Sequence, residues 1–508
     1  MPGGYLGIDL GTGAVKAVVT DAQGRVQSVG SAEHPTSHPR PGFAEQEPER
    51  WWEATVRAVR EAVARAAGYE IAAIGLSGQM HGTVLLDSAD RPFRPAVIWA
   101  DTRSAAQVER LTAEIGKERL IEIAGSPLAA GFQAATIRWF QDEQPDVWRH
   151  VRRIALPKDY LGWRLTGTWA TEPSDAASTL LLDVRQRDWS DTILAAVGIS
   201  RDQLPPVLPS ASPRGRLLPE AAAALGLPSG IPVVAGGGDA PIAALAAGVV
   251  EPTTMLLTIS TGSQVIVPTD GVRPDPGGRI HAWCSCLEPG PGAAGWYQMG
   301  ATMVSGLALR WLRDRVFALP AADAYDQMTE WAASVPPGAG GLLFLPYLAG
   351  ERTPHMDPQA RGLFLGLTAE HGREHLTRAV MEGATLALAD AFSILETLGA
   401  KPNHAILAGG GARSALWRQI VADVFGLPIQ PLLDVEGSAL GAALLAYACV
   451  SGANPAKTAT TWARYGEPVT PDPKAHEVYQ ALLPLFRDAY RKHREDFPAL
   501  AAIGRALA

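Results

Sequence analysis

IDLGTGAVKAVV at 8–19 and TISTGSQVIVP at 258–268 share one design: apolar strand, Gly/Thr turn, apolar strand. Glycine lets the backbone approach an anion and threonine adds a hydroxyl donor, so two such turns are predicted to act as the jaws of a phosphate clamp. A nucleotide is the ligand that suits it. Gly11, Thr12 and Gly13 make the first jaw, Thr261 and Gly262 the second. Lys16, just beyond the first jaw, fits either a phosphate contact or a solvated surface lysine and stays among the nucleotide-binding candidates.

Outward from the first motif, YLGID, AVKAVVTD and RVQSVGSA read as a three-stranded meander stitched by turn residues. A helix follows with Pro48 in its first turn and Trp52, Val56, Val59 and Val63 on one face. IAAIGLSG at 71–78 is nearly all apolar, as expected of a strand covered on both faces. The second half repeats this grammar. TMLLTIS and QVIVP precede a predicted helix from Met303 to Val316 that carries Gly306. The strand-like LLFLPYLAG and GLFLGL, a long helix from Arg373 to Leu398, the buried strand HAILAGGG ending in Gly410 and Gly411, and a helix from Ser414 to Phe425 complete it. Such order predicts an α/β fold with ligands at the strand C-termini. The join between halves is expected near 245–253.

At 508 residues the chain exceeds the size at which one hydrophobic core keeps growing, so two domains are expected. A net charge of −8 gives no basic footprint, which excludes nucleic acid and anionic membrane as partners. Three cysteines suit a reducing compartment. An acid interrupts the apolar run of MPGGYLGID and no stretch reaches transmembrane length, so the expected location is the cytoplasm.

Several residues are chemically suggestive. Asp239 is the only ionisable group in IPVVAGGGDAPIAALAAG, where a carboxylate costs free energy unless something uses or pairs it. It is the candidate base that accepts a hydroxyl proton during phosphoryl transfer. Asp9, at a strand end beside the first turn, is the candidate holder of hydrated magnesium, a turn-capping Asp being the bland alternative. Gln79, Met80 and His81 occupy the turn after the 71–78 strand and suit a polyol with one apolar face. Asp101 and Arg103 in WADTR fit either a substrate contact or an internal ion pair. His281, Cys284 and Cys286 do not complete a zinc set and read as packing. No GxxxxGK[ST] occurs, which excludes a P-loop nucleotidase.

IDLGTGAVKAVV, FAEQEPERWW, LSGQMHG, LPKDYLGWRLTG, GGGDAPIAAL, PYLAGERTPHMDPQARGLFLGL and ILAGGGARSALWRQ occur in the order seen in the FGGY carbohydrate kinases, and SGQMHG most resembles the xylulokinase branch. The resemblance covers nearly the whole chain. It implies two ribonuclease-H-like domains, related to actin and hexokinase, with a central cleft. Residues 1–247 would be the sugar-binding domain with the first phosphate turn. Residues 248–508 would be the nucleotide-binding domain, with a helical tail from about 466.

By the same resemblance Asp239 matches the catalytic base, Asp9 the acid near magnesium, and Met80 and His81 sugar-contacting positions. Gly306, Gly410 and Gly411 match the nucleotide side. The implied cofactors are ATP and Mg2+, and the family allows a homodimer. The implied reaction is ATP-dependent phosphorylation of a terminal hydroxyl of a small ketose, D-xylulose to D-xylulose 5-phosphate. The alternatives are another polyol or sugar acid (ribulose, erythrulose, gluconate, glycerol) or a non-catalytic nucleotide-binding sugar sensor. Ala240 and Pro241 stand where the branch usually continues with Asn and Ala.

Overall fold

The computed structural model describes residues 1–320, 323–434 and 436–506. The chain forms two compact units. The first comprises Met1–Glu251, Pro268–Tyr297 and Glu436–Ala463; the second comprises Pro252–Val267, Gln298–Val435 and Arg464–Ala508. No single cut separates them, because the helix Gly437–Ser451 returns to the first unit.

In the first unit the sheet runs Val26–Glu33, Ala14–Thr20, Gly3–Leu10, Glu70–Gly78, Pro232–Val234, Pro213–Arg216. The first two pairings are antiparallel and the next two parallel. Side chains alternate along Gly3–Leu10. Leu6 and Ile8 join the core under the helix Pro48–Arg65, while Gly7 between them faces Gly437–Ser451. A Cβ at Gly7 would lie 1.9 Å from the Ala439 carbonyl oxygen, and one at Gly75 1.8 Å from that of Ala442. The helix therefore rests on backbone, a contact only glycine permits.

The face of Pro48–Arg65 set into the core differs from the expected one. Trp51, Ala54, Ala58 and Ala62 are buried together with the expected Val59, while Trp52, Val56 and Val63 are only partly covered. Small residues let this helix approach the sheet closely, and the larger side chains fill its flanks.

The second sheet repeats the pattern over Trp296–Thr302, Ser263–Thr269, Thr254–Ile259, His404–Ala408 and Ile429–Pro431. An antiparallel hairpin is again followed by two parallel neighbours. This is the ribonuclease-H-like order, written twice in one chain. Arg373–Thr397 is buried along most of its length, as its mixed apolar surface requires. The helix expected from Met303 begins at Gly306, because the Met303 amide donates to Glu351 Oε1 at 2.7 Å and Ser305 is not helical. It runs to Trp311 and continues as a π-helical turn over Leu312–Val316. LLFLPYLAG and GLFLGL contribute the short strands Leu343–Leu345 and Leu363–Leu365, which pair with each other. The tail forms helices Pro473–His493 and Asp496–Ala506, its last two residues lying outside the described ones. Among the described residues no helix is long and apolar enough to cross a membrane.

Candidate active site

In the first unit the two candidate acids lie at strand ends. Asp9 closes Gly3–Leu10, opposite Lys16 in the hairpin and Ser77 in the parallel pair. Its Oδ1 is shielded from solvent and has no hydrogen-bond partner. Burial pushes the carboxyl up to about 6, against the pull of the Ser77 hydroxyl and the Lys16 charge. Lys16 is partly exposed to solvent, and its Nζ pairs with Glu436 at 2.7 Å. Glu436 directly precedes the helix that Gly7 and Gly75 admit, so this pair ties the first hairpin to that helix.

Asp239 begins the helix Asp239–Ala246, directly after Gly237 and Gly238, which pair with Ser77 and Gly78. Its Oδ1 accepts the Ala240 amide at 2.7 Å, and its carbonyl accepts the Ser438 hydroxyl at 3.2 Å. It is half-buried. Burial, then the charge of Asp9, pushes its carboxyl up to about 7, with backbone amides pulling back. A group poised there can take and release a proton near neutrality. Met80 lies over Gly238: a Cβ there would meet the Met80 side chain at 3.0 Å. Asp9, Asp239 and Met80 are thus brought together.

His81 adopts a left-handed backbone, φ 73°. Its amide donates to Ser178 Oγ at 3.0 Å and its Nδ1 meets the Ser178 carbonyl oxygen at 2.8 Å. A carbonyl only accepts, so Nδ1 carries the proton. The ring stacks on Phe132 with centroids 4.0 Å apart.

Two expected substrate contacts are corrected. Gln79 is fully buried, its amide nitrogen donating to Gln46 Oε1 at 2.8 Å, so it supports the turn from below rather than meeting a solute. Asp101 is an internal ion pair, 1 % exposed. It accepts the Ala44 amide and two Arg103 nitrogens, each at 2.7–2.9 Å. Arg103 also reaches Glu45 at 2.8 Å and lies 3.8 Å over Phe43.

The first phosphate turn is braced. Trp99 Nε1 donates to Thr12 Oγ1 at 2.9 Å, Gln46 Nε2 to the Thr12 carbonyl at 2.7 Å, and the Gly11 amide to the Ala14 carbonyl at 3.1 Å. Gly13 has open space above it.

In the second unit Thr261, Gly306, Gly410 and Gly411 line one cavity of about 550 Å³, with Arg310 and Tyr325 on its wall. That volume accepts a small cofactor. Gly262 lies at the tip of the same turn, its carbonyl accepting the Ser260 amide at 2.9 Å. The Gly306 amide donates to the Ser260 carbonyl at 2.8 Å, and a Cβ at Gly306 would come within 2.4 Å of that oxygen. Glycine here is what lets the helix start against the turn.

Sequence reasoning missed a buried charge cluster in the first unit. Lys158 Nζ lies 2.7 Å from Asp159, 3.6 Å from Asp175 and 3.7 Å from Glu172, all without exposure. Burial alone would lower the Lys158 pKa; the three carboxylates hold it above the ordinary range. The available signal was charge inside LPKDYLGW and TEPSDAAS, but such residues read as surface until packing is known. It also missed Glu351, buried with its Oε2 unpartnered and its carboxyl pushed up by burial to about 8. Cys284 and Cys286 are buried thiols.

Residues 4–246 match the N-terminal domain and residues 254–449 the C-terminal domain of the FGGY family of carbohydrate kinases. The chain belongs to that family. Among its relatives, the xylulose kinase of Escherichia coli (strain K12) is 38% identical over 96% of this chain and 99% of its own length. The structure of xylulose kinase from Rhodospirillum rubrum superposes with a TM-score of 0.90 at 31% identity, covering 97% of this chain and 99% of that one. The gluconokinase of Bacillus subtilis (strain 168) is 29% identical over 99% of this chain and 98% of its own length. As an FGGY kinase the chain is a two-domain α/β enzyme.

Proposed function

We propose that this carbohydrate kinase transfers the terminal phosphoryl group of ATP to a terminal hydroxyl of D-xylulose, yielding D-xylulose 5-phosphate. The observation that carries the reading is Asp239: a half-buried carboxyl raised to about 7, at a helix start, beside Asp9 and the Met80–His81 turn. In this reading the first unit binds sugar and the second binds nucleotide, with Pro268–Tyr297 and Glu436–Ala463 going with the first. Asp239 orients the attacking hydroxyl and takes its proton as the bond to phosphorus forms and the bond to the ADP oxygen breaks. Phosphoryl transfer is loose, so positioning contributes more than base strength.

Thr261, Gly262, Gly306, Gly410 and Gly411 would hold the nucleotide, and Gly11, Thr12 and Gly13 would meet its phosphates. Among the described residues no group of three or more His, Cys, Asp or Glu side chains is arranged to hold a metal ion. Magnesium usually keeps water and phosphate oxygens and needs only one or two carboxylates, and the unpartnered Oδ1 of Asp9 fits that demand. Bound there, the ion would neutralise phosphate charge. The enzyme would act in the cytoplasm, where ATP is supplied.

The kinship with gluconokinase raises a sugar acid as the second substrate class. Lys16 and Arg103 are already paired, with Glu436 and with Asp101 and Glu45. Two carboxylates beside the reacting position disfavour an anionic sugar. A panel of D-xylulose, D-ribulose, erythrulose, glycerol and gluconate with coupled ADP detection tests this. Highest kcat/KM on D-xylulose is expected; gluconate ahead of it, or no sugar-stimulated ADP at all, would overturn the reading.

A further inference from the structure

The buried segment 172–179 touches both halves of the candidate site through two serines. Glu172 caps its first turn, its carboxylate accepting the Ser174 and Asp175 amides at 2.8 Å each, and also the Ser210 hydroxyl at 2.8 Å. Lys158 lies beneath, among Asp159, Glu172 and Asp175. From this anchored segment Ser174 Oγ accepts the Gly238 amide at 3.1 Å, one residue before Asp239. Four residues on, Ser178 Oγ accepts the His81 amide, its carbonyl accepts from the His81 ring, and its hydroxyl donates to the Asp175 carbonyl at 2.7 Å. Both serines are wholly buried.

We propose that Ser174 and Ser178 are positioning residues with separate roles, Ser174 setting the backbone that carries Asp239 and Ser178 setting the left-handed turn that carries His81. The inference rests on the kinase reading. A left-handed non-glycine residue persists only where its surroundings hold it, and the paired Ser178 contacts are that hold on His81. The Gly238 amide is likewise buried, and Ser174 supplies its acceptor. A serine behind the base acts on the chemical step; one behind a sugar-contacting histidine acts on binding.

The experiment compares steady-state kinetics of Ser174→Ala and Ser178→Ala with the parent, varying sugar and ATP separately. Ser174→Ala is expected to lower kcat about tenfold with sugar KM within about twofold; Ser178→Ala is expected to raise sugar KM about tenfold with kcat within about twofold. ATP KM stays at the parental value in both. Should either alanine variant fail to fold, Ser174→Cys and Ser178→Cys enlarge the side chain only slightly while weakening the acceptor, and are expected to show the same split at smaller amplitude. Ser174→Cys is assayed with excess reductant, because its thiol would lie beside Cys286. Variants that change kcat and sugar KM alike, move ATP KM, or match the parent would overturn the division. A parent without sugar-stimulated ADP formation would remove the kinase reading itself and the inference with it, a result separable from parental turnover without the split.

Discussion

Two aspartates in the first unit, Asp101 and Asp239, stand in short polar interruptions of apolar sequence, yet they end in opposite states. Asp101 has Arg103 two residues away and closes on it, 1 % exposed, with an amide and a guanidinium satisfying its oxygens. Asp239 has no cation in its own stretch, starts a helix after two glycines, and is raised to about 7 by burial and the charge of Asp9. The fold supplies a guanidinium to the first and only a backbone amide to the second. A carboxylate without a compensating cation costs stability, and in the proposed mechanism that cost falls on the group that would take the proton.

Substitutions that separate chemistry from stability break or sharpen this contrast. The largest effect is expected for Asp239→Asn, with kcat falling about a thousandfold, read by coupled ADP release. Asp101→Ala should do the reverse. Removing one partner of a buried pair also strands the Ala44 amide, while Glu45 still faces Arg103, so a loss of about 2–4 kcal/mol in denaturant unfolding is expected, with kcat/KM of the folded fraction near parental. In the second unit Gly306→Val drives a side chain toward the Ser260 carbonyl, and ATP affinity by calorimetry should weaken about tenfold, with sugar-dependent pH behaviour unaltered.

The pH response carries the smallest change. Asp239 and Asp9 must be ionised to act, so kcat/KM for sugar should rise through about 6 to 7, as a coupled pair of steps. Stability moves the other way. Both carboxyls are raised above their unfolded values, so the folded chain holds their protons longer, and the fold weakens as pH climbs from about 4, the ordinary carboxyl range, to about 7. Asp239→Asn should therefore stabilise the protein more at about pH 8 than at about pH 5, by about 1 kcal/mol given the partial exposure of this group. A variant equally stable relative to parent at both values would remove Asp239 from the cost.

Much of this was legible because local chemistry sufficed. The Gly/Thr turns between branched apolar runs gave both hairpins, and an acid alone in GGGDAPIAAL singled out Asp239, which the fold then places at a helix start. What was hidden depends on packing between distant segments. GSALGAALLAYACVS is almost wholly apolar, but nothing in it says that Gly7 and Gly75, far earlier in the chain, leave room for the helix it forms. Lys158, Asp159, Glu172 and Asp175 look like ordinary surface charges until the fold places them together. Gln79 looked like a ligand contact because a polar residue on the turn after a buried strand suits a polyol, and only the fold shows it buried with its amide nitrogen donating to Gln46.

The most direct test is an ATP-binding isotherm on Asp239→Asn. Nucleotide is assigned to the cavity of the second unit and proton transfer to an acid of the first, so parental ATP affinity is predicted in a protein that no longer turns over D-xylulose. Loss of ATP binding with the substitution, or turnover at the parental rate, would contradict the assignment.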